Sequence, residues 1–169
     1  NNLEQDGLND FMEMSSVGSS AAVNIVVQMD RTAGHATGYG DWKDTRRFLV
    51  TPGLTPAAAP VEYLDERNMG DPAVLTDFVV WAVTHYPAEH YALSIWNHGG
   101  GWRKTQEDRV EQAKAAKRAG GEAPAVFRTV CTDDTNGDVL YMREVQDALT
   151  SARGLVEGRI GTKVKLDVV

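Results

Sequence analysis

Basic residues and cysteines are both scarce in this sequence. Seventeen Lys and Arg stand against 24 Asp and Glu, giving a net charge of -7 and a pI near 5.0. That balance argues against a nucleic-acid surface or an anionic-membrane binder, each of which presents a basic face. A single cysteine, Cys131, excludes an intrachain disulfide and a cysteine-based zinc site, yet leaves a thiol nucleophile open. No apolar run approaches the ~18 residues that a membrane span needs. There is no basic-then-apolar leader, and the sequence opens at Asn1 without a methionine, so the natural start is expected upstream. Internal repeats are absent. What remains, at 169 residues with 42% hydrophobic and 24% charged, has the composition and size of one globular domain, neither disordered nor fibrous.

Four segments read as buried strands. Val23–Met29 is β-branched and nearly continuous in apolar character, as in a strand covered on both faces. Phe48–Val50 stops at Thr51-Pro52-Gly53, a turn signal. Tyr91–Trp96 and Val164–Val169 complete the set. Between them lie helical patterns. Asp71-Pro72 is a cap followed by proline at the first helical position, Leu75, Phe78, Val79, Ala82, Val83 and Tyr86 recur on one face, and Pro87 ends the run. A second helix is expected from a cap at Asp138, with Tyr141, Val145, Ala148, Leu149 and Ala152 on one face and Gly154 as its stop. Leu8, Phe11 and Met14 mark a weaker helix ending near Gly18. Strands alternating with helices predict an α/β domain with a mostly parallel sheet.

Residues 103–125 differ in kind. Six Lys and Arg fall there, while the rest of the chain is acidic, and only Val110 and small alanines could face a core. Composition makes the segment an exposed surface insertion; a sharper reading makes it a site offered to a protease, because nicking concentrates at exposed loop tips.

The most informative block is Ile95-Trp96-Asn97-His98-Gly99-Gly100-Gly101-Trp102. A strand delivers a histidine to its carboxyl end, where open α/β sheets keep their ligand sites. The glycines behind it supply backbone N–H groups that can approach a substrate closely. A general base and oxyanion donors are the two needs of acyl transfer; the plain alternative is a loop histidine beside a tight turn. The His-Gly-Gly-Gly run also fits the oxyanion loop of lipases, but the Gly-x-Ser-x-Gly elbow this would require is absent.

Asp134, Asn136 and Asp138 have the 1, 3, 5 spacing of a calcium loop. Position 12 is Val145, with Glu144 one residue out of register, so turn and cap chemistry is the competing account. Gly34–Gly40 lacks dinucleotide spacing and reads as a loop. His85 and His90 read as surface turn residues, and Cys131 as a small buried hydrophobe unless something outside its neighbourhood activates it.

Taken together, Asn1–Glu4, Val23–Arg31, Asn68–Pro72, Tyr91–Trp102 and Asp133–Met142 resemble the clostripain family of cysteine peptidases. The likeness covers nearly the whole chain apart from the segment after Arg103 and residues 154–162. It implies a caspase-like three-layer α/β/α domain, here truncated at both ends, in which residues 1–169 form a single partial peptidase domain. It also implies a cysteine endopeptidase that cleaves after basic residues, arginine above all and lysine second, in protein or peptide substrates. His98 matches the family's catalytic histidine, and the backbone N–H of Gly99 would help bind the oxyanion. The nucleophilic cysteine is expected after Val169, so this chain by itself is predicted to be inactive. Lys114, Lys117 and Arg118 mark a processing region. Calcium is the cofactor the resemblance brings into play, and secretion or the cell envelope is the location it implies. The alternative is a non-catalytic binding or regulatory module that keeps the fold without the chemistry, and a third reading makes Cys131 a displaced nucleophile within reach of His98.

Overall fold

The computed structural model describes residues 3–32, 34–97, 129–161, 163 and 166–167. Helix α1, Glu4–Val17, buries Leu8, Phe11 and Ser15, one face at helical spacing. It ends where expected, at Gly18. There the φ of 69° and the approach of Pro52, whose nitrogen would clash with any Cβ, leave room only for glycine.

Three strands follow: β1 (Val26–Asp30), β2 (Thr45–Leu49) and β3 (Glu62–Leu64), in the order β1-β2-β3. Both ladders are antiparallel, with Val26 opposite Leu49, Asp30 opposite Thr45, and Thr45 opposite Leu64. This differs from the mostly parallel sheet read from the sequence. The cause lies in the connections: residues 31–44 hold only a three-residue 3₁₀ turn, Gly38–Gly40, and residues 50–61 hold no helix. Neither is the helical crossover that parallel neighbours require. β1 also starts three residues later than expected, and Val23 is exposed. The loop reading of Gly34–Gly40 holds: the Arg31 guanidinium ties it down by donating to the carbonyls of Ala36 and Gly38.

Helix α2, Pro72–His85, follows its sequence signals closely. The Asp71 carboxylate accepts from the Ala73 amide at 2.8 Å, Pro72 takes the first turn, and Val79, Val80 and Val83 are buried. Tyr91–Trp96, expected as a strand, forms no ladder among the described residues beyond a single bridge at Ala92. Of Val164–Val169, only Leu166 and Asp167 are described, and the Asp167 amide donates to the Tyr91 carbonyl at 2.9 Å.

A second antiparallel pair joins β4 (Thr129–Asp133) to β5 (Asp138–Tyr141). Asp138 therefore opens a strand instead of capping a helix. The last helix, α3 (Met142–Ile160), starts after Tyr141, whose amide donates to the Glu144 carboxylate at 2.9 Å. It runs past Gly154 because Val156 is buried against α2, and stops at Gly161 in the left-handed conformation, with φ 68°.

The core divides into three clusters. Phe11, Trp42, Phe48 and Val50 lie between α1 and the three-stranded sheet. Val79, Val80, Val83, Ala152 and Val156 form the α2–α3 seam, and Cys131, Leu140 and Val145 join the hairpin to α3.

Candidate functional site

His98 and Gly99, the two residues expected to carry catalysis, lie outside the described residues, as do Lys114, Lys117, Arg118 and the 103–125 insertion. The chain leading to His98 is described as far as Asn97. The Asn97 side chain donates to the Thr132 carbonyl at 2.9 Å, and Thr132 Oγ1 donates back to Asn97 Oδ1 at 3.4 Å. The end of the 91–97 segment is thereby fastened to β4 one residue from Asp133.

Three carboxylates gather close by. Asp30 ends β1, Asp133 ends β4, and Glu66 lies just beyond β3; an oxygen from each falls within 4.8 Å of the other two. Burial pushes the Asp30 carboxyl up to about 7, with Glu66, Asp133 and Asp44 adding repulsion and the Thr45 hydroxyl, at 2.6 Å, partly offsetting it. Burial also raises Glu66, followed by Asp133 and Asp44. Asp133 is buried and accepts from the Met69 amide at 2.7 Å and the Asn136 amide at 2.9 Å. Hard oxygen donors are the type calcium takes, and the three carboxylates could supply part of its shell of about six to eight; a cation there would relieve the mutual repulsion. The cluster was missed from sequence because its members are 36 and 67 positions apart and meet only through the fold. A cue existed: each sits at the end of a strand or just past one, where α/β proteins place their ligands.

The other sequence candidates resolve simply. Asp134 and Asn136 belong to the tight β4–β5 turn, closed by the Asp133 carboxylate and by Gly137 at φ 66°. Asp138 accepts from the Asn68 side-chain amide at 2.6 Å and, chiefly for that reason, titrates below the usual range. Asp134 and Asp138 are not members of the carboxylate cluster, and Asn136 touches it by donating to Asp133. His85 closes α2 with Nδ1 2.8 Å from the Trp81 carbonyl oxygen, and His90 is an exposed residue beside Asp167, 3.2 Å away. Cys131 is 5% exposed, its Sγ 3.5 Å from the Met69 carbonyl. Burial pushes its thiol up, a hydrogen bond at Leu140 partly offsets this, and Asp133 and Asp138 add a further upward push. A nucleophile needs the reverse environment.

One further contact escaped the sequence reading. Arg31, just past β1, is fully buried and pairs with Glu4 at 2.8 Å, while the other Glu4 oxygen accepts from the Thr32 amide at 3.3 Å. The pair holds the start of α1 against the end of β1, beside the carboxylates.

Comparison with known proteins bears on this arrangement. The model of the clostripain family matches residues 1–157, most of the chain and every block described above up to α3. The chain belongs to the clostripain family. It is also 29% identical, over 176 aligned positions, to clostripain of Hathewaya histolytica, an alignment covering 92% of this chain and 30% of that protein. The family match spans Asp30, Glu66 and Asp133 and, in sequence, the Asn97-His98-Gly99 block.

Proposed function

We propose that this chain is the histidine-bearing part of a cysteine endopeptidase that cleaves protein or peptide substrates after basic residues, arginine first and lysine second. The observation that carries the reading is the family match across residues 1–157, which spans the His98-Gly99 block. In this reading the domain is a truncated, caspase-like α/β/α layer structure, residues 103–125 are a basic insertion processed near Lys114, Lys117 and Arg118, and the protein works outside the cell or in its envelope.

The chemistry is acyl transfer. A thiolate contributed from beyond Val169 attacks the scissile carbonyl carbon, and the backbone N–H of Gly99 donates to the oxyanion. The C–N bond breaks as His98 gives its proton to the leaving amine. Water then hydrolyses the thioester, with His98 taking the proton. Cys131 is not the nucleophile in this scheme: its buried, acid-flanked thiol is held protonated. Calcium, when bound, would supply positive charge near the site, and Asp30, Glu66 and Asp133 are the described residues that would hold it.

The test is hydrolysis of a fluorogenic arginine peptide by this chain and by a longer polypeptide reaching past Val169. Activity in the longer form alone, lost with His98→Ala and kept with Cys131→Ala, is the expected result. Activity in this chain that Cys131→Ala removes would overturn the assignment. Silence in both forms would favour the non-catalytic module.

A further inference from the structure

Asn136-Gly137 is the only place in the sequence where an asparagine is followed by glycine. The structure puts this dipeptide in the loop of residues 134–137 between β4 and β5, with Asp133 paired to Asp138 across its base. Both residues are exposed. Gly137 has φ 66°, and among the described residues nothing beyond its chain neighbours lies within 4 Å of where a Cβ would stand. Nor does any described backbone carbonyl in the loop accept from the Gly137 amide. An asparagine side chain can close on the nitrogen of the next residue to form a five-membered ring, and a Cβ on that next residue is the chief obstacle. Asn9, Asn24 and Asn68 are followed by Asp10, Ile25 and Met69, all of which carry that obstacle, and Asn9 is also fixed inside α1.

The position matters because Asn136 touches the carboxylate cluster. Its amide donates to Asp133 Oδ1 at 2.9 Å and its Nδ2 donates to Asp133 Oδ2 at 3.3 Å. Asp133 is buried and stands within reach of Asp30 and Glu66. The longer of the two bonds comes from Nδ2, the group that ring closure expels. A carboxylate in its place would withdraw a donor from Asp133 and set a charge of the same sign beside it, in a turn that already carries Asp134 and Asp138.

We propose that Asn136 is a site of spontaneous deamidation, and that its conversion weakens the β4–β5 turn and disturbs the carboxylate cluster through Asp133. Solvent base takes the Gly137 amide proton and the nitrogen attacks Asn136 Cγ. The Cγ–Nδ2 bond breaks and ammonia leaves, giving a succinimide. Water then opens the ring in one of two ways. Attack at Cγ leaves an aspartate in an ordinary main chain. Attack at the main-chain carbonyl carbon of residue 136 leaves an isoaspartyl linkage, which routes the backbone through the former side chain and lengthens it by one carbon. That extra atom falls inside the loop that closes the ladder at Asp133 and Asp138. The inference is independent of the catalytic reading.

The test ages the 169-residue chain at about 37 °C and pH 8 in a chelating buffer, beside the same chain unfolded in guanidinium chloride. Trypsin releases residues 129–143 as one peptide, in which Asn136 is the only asparagine. The expected result is a gain of about 1 Da in that peptide, split between two chromatographic forms. Asn9, Asn24 and Asn68 should convert about tenfold more slowly or less. Less than about a tenth of conversion in the folded chain when the unfolded chain is half converted would overturn the proposal, because the turn would then hold Cγ away from the Gly137 nitrogen. Ageing should also lower the melting midpoint of the parent by about 3 °C or more and leave aged Asn136→Ser, which cannot form the ring, where it began. A parent midpoint that does not fall, or an equal fall in both proteins, would overturn the link to Asp133.

Discussion

Asp30 should make the protein less stable as the pH rises toward neutrality. The unfolded carboxyl titrates near 3.8 and the folded one near 7, so between these values the folded state binds the extra proton. Stability therefore falls with increasing pH across that window: the contribution is fully present below the unfolded value and gone above the folded one. At about 1.36 kcal/mol per pH unit the difference amounts to about 4 kcal/mol, and water reaching part of the site brings this to about 2–4 kcal/mol. Asp30→Asn removes the titration while its side-chain oxygen can still accept from the Thr45 hydroxyl. Urea unfolding from pH 4.5 to 8 should show the variant gaining on the parent as pH rises, by about 2–4 kcal/mol at the top and about 0.5–1 kcal/mol at the bottom. Asp138 titrates in the opposite sense, but it is common to both proteins and cancels in the difference. A gap that is constant with pH, or a parent more stable than the variant at pH 8, would refute the account of the site as a buried, mutually repelling set of acids.

Millimolar calcium should raise the melting midpoint of the parent at pH 8 and leave Asp30→Asn nearly unmoved; an equal shift in both would place the ion elsewhere. Glu4→Gln should cost about 3–5 kcal/mol by stranding the buried Arg31, and pairing it with Arg31→Leu should recover part of that loss in a double-mutant cycle. Two glycines should behave oppositely on replacement by alanine, one at the end of α1 and one inside α3. Gly18→Ala meets Pro52 and needs a positive φ, so it should lower stability by several kcal/mol, whereas Gly154→Ala points into open space inside α3 and should raise it by about 0.5–1 kcal/mol; thermal unfolding reads both. Cys131 should react with a disulfide reagent only as fast as the protein unfolds, and rapid labelling of the native chain would contradict its burial.

Local chemistry was legible in the sequence where one short segment decides the outcome. Asp71-Pro72 fixed the start of α2, and Gly18 the end of α1, because caps and positive-φ positions depend on a few adjacent residues. Gly154 misled for a related reason: a glycine is a stop only if packing does not continue beyond it, and Val156 lies in the α2–α3 seam. Strand direction was harder. Val23–Met29 reads as a strand covered on both faces, yet apolar content says nothing of which neighbour pairs or in which sense; the short connections made β1–β2 and β2–β3 antiparallel. The carboxylate site was out of reach because its residues come from three separate elements, and only their meeting in space shifts Asp30 upward.

The packing carries one more implication. Interiors are normally close-packed around one contiguous core; here the α2–α3 and hairpin clusters share Leu75 and Leu149, while the cluster under α1 is tied to them largely through polar joints. Arg47 on β2 is the clearest: nearly buried, it bonds Gln28, Glu62 and Asp77 and sits over the Trp81 ring at 4.8 Å, so one guanidinium couples the three-stranded sheet to α2. Met69 is a second joint. Its sulfur accepts from Gln28, its amide donates to Asp133, and its carbonyl accepts from the Cys131 thiol, so the first sheet, the α2 entrance and the hairpin meet at one residue. Both joints bond directional partners, which fixes how the units sit but adds little apolar burial between them. The carboxylates stand where these units meet, at Asp30 from one side and Asp133 from the other. Their spacing therefore depends on how firmly the units are held together, and Arg47 and Met69 are the two residues that set it.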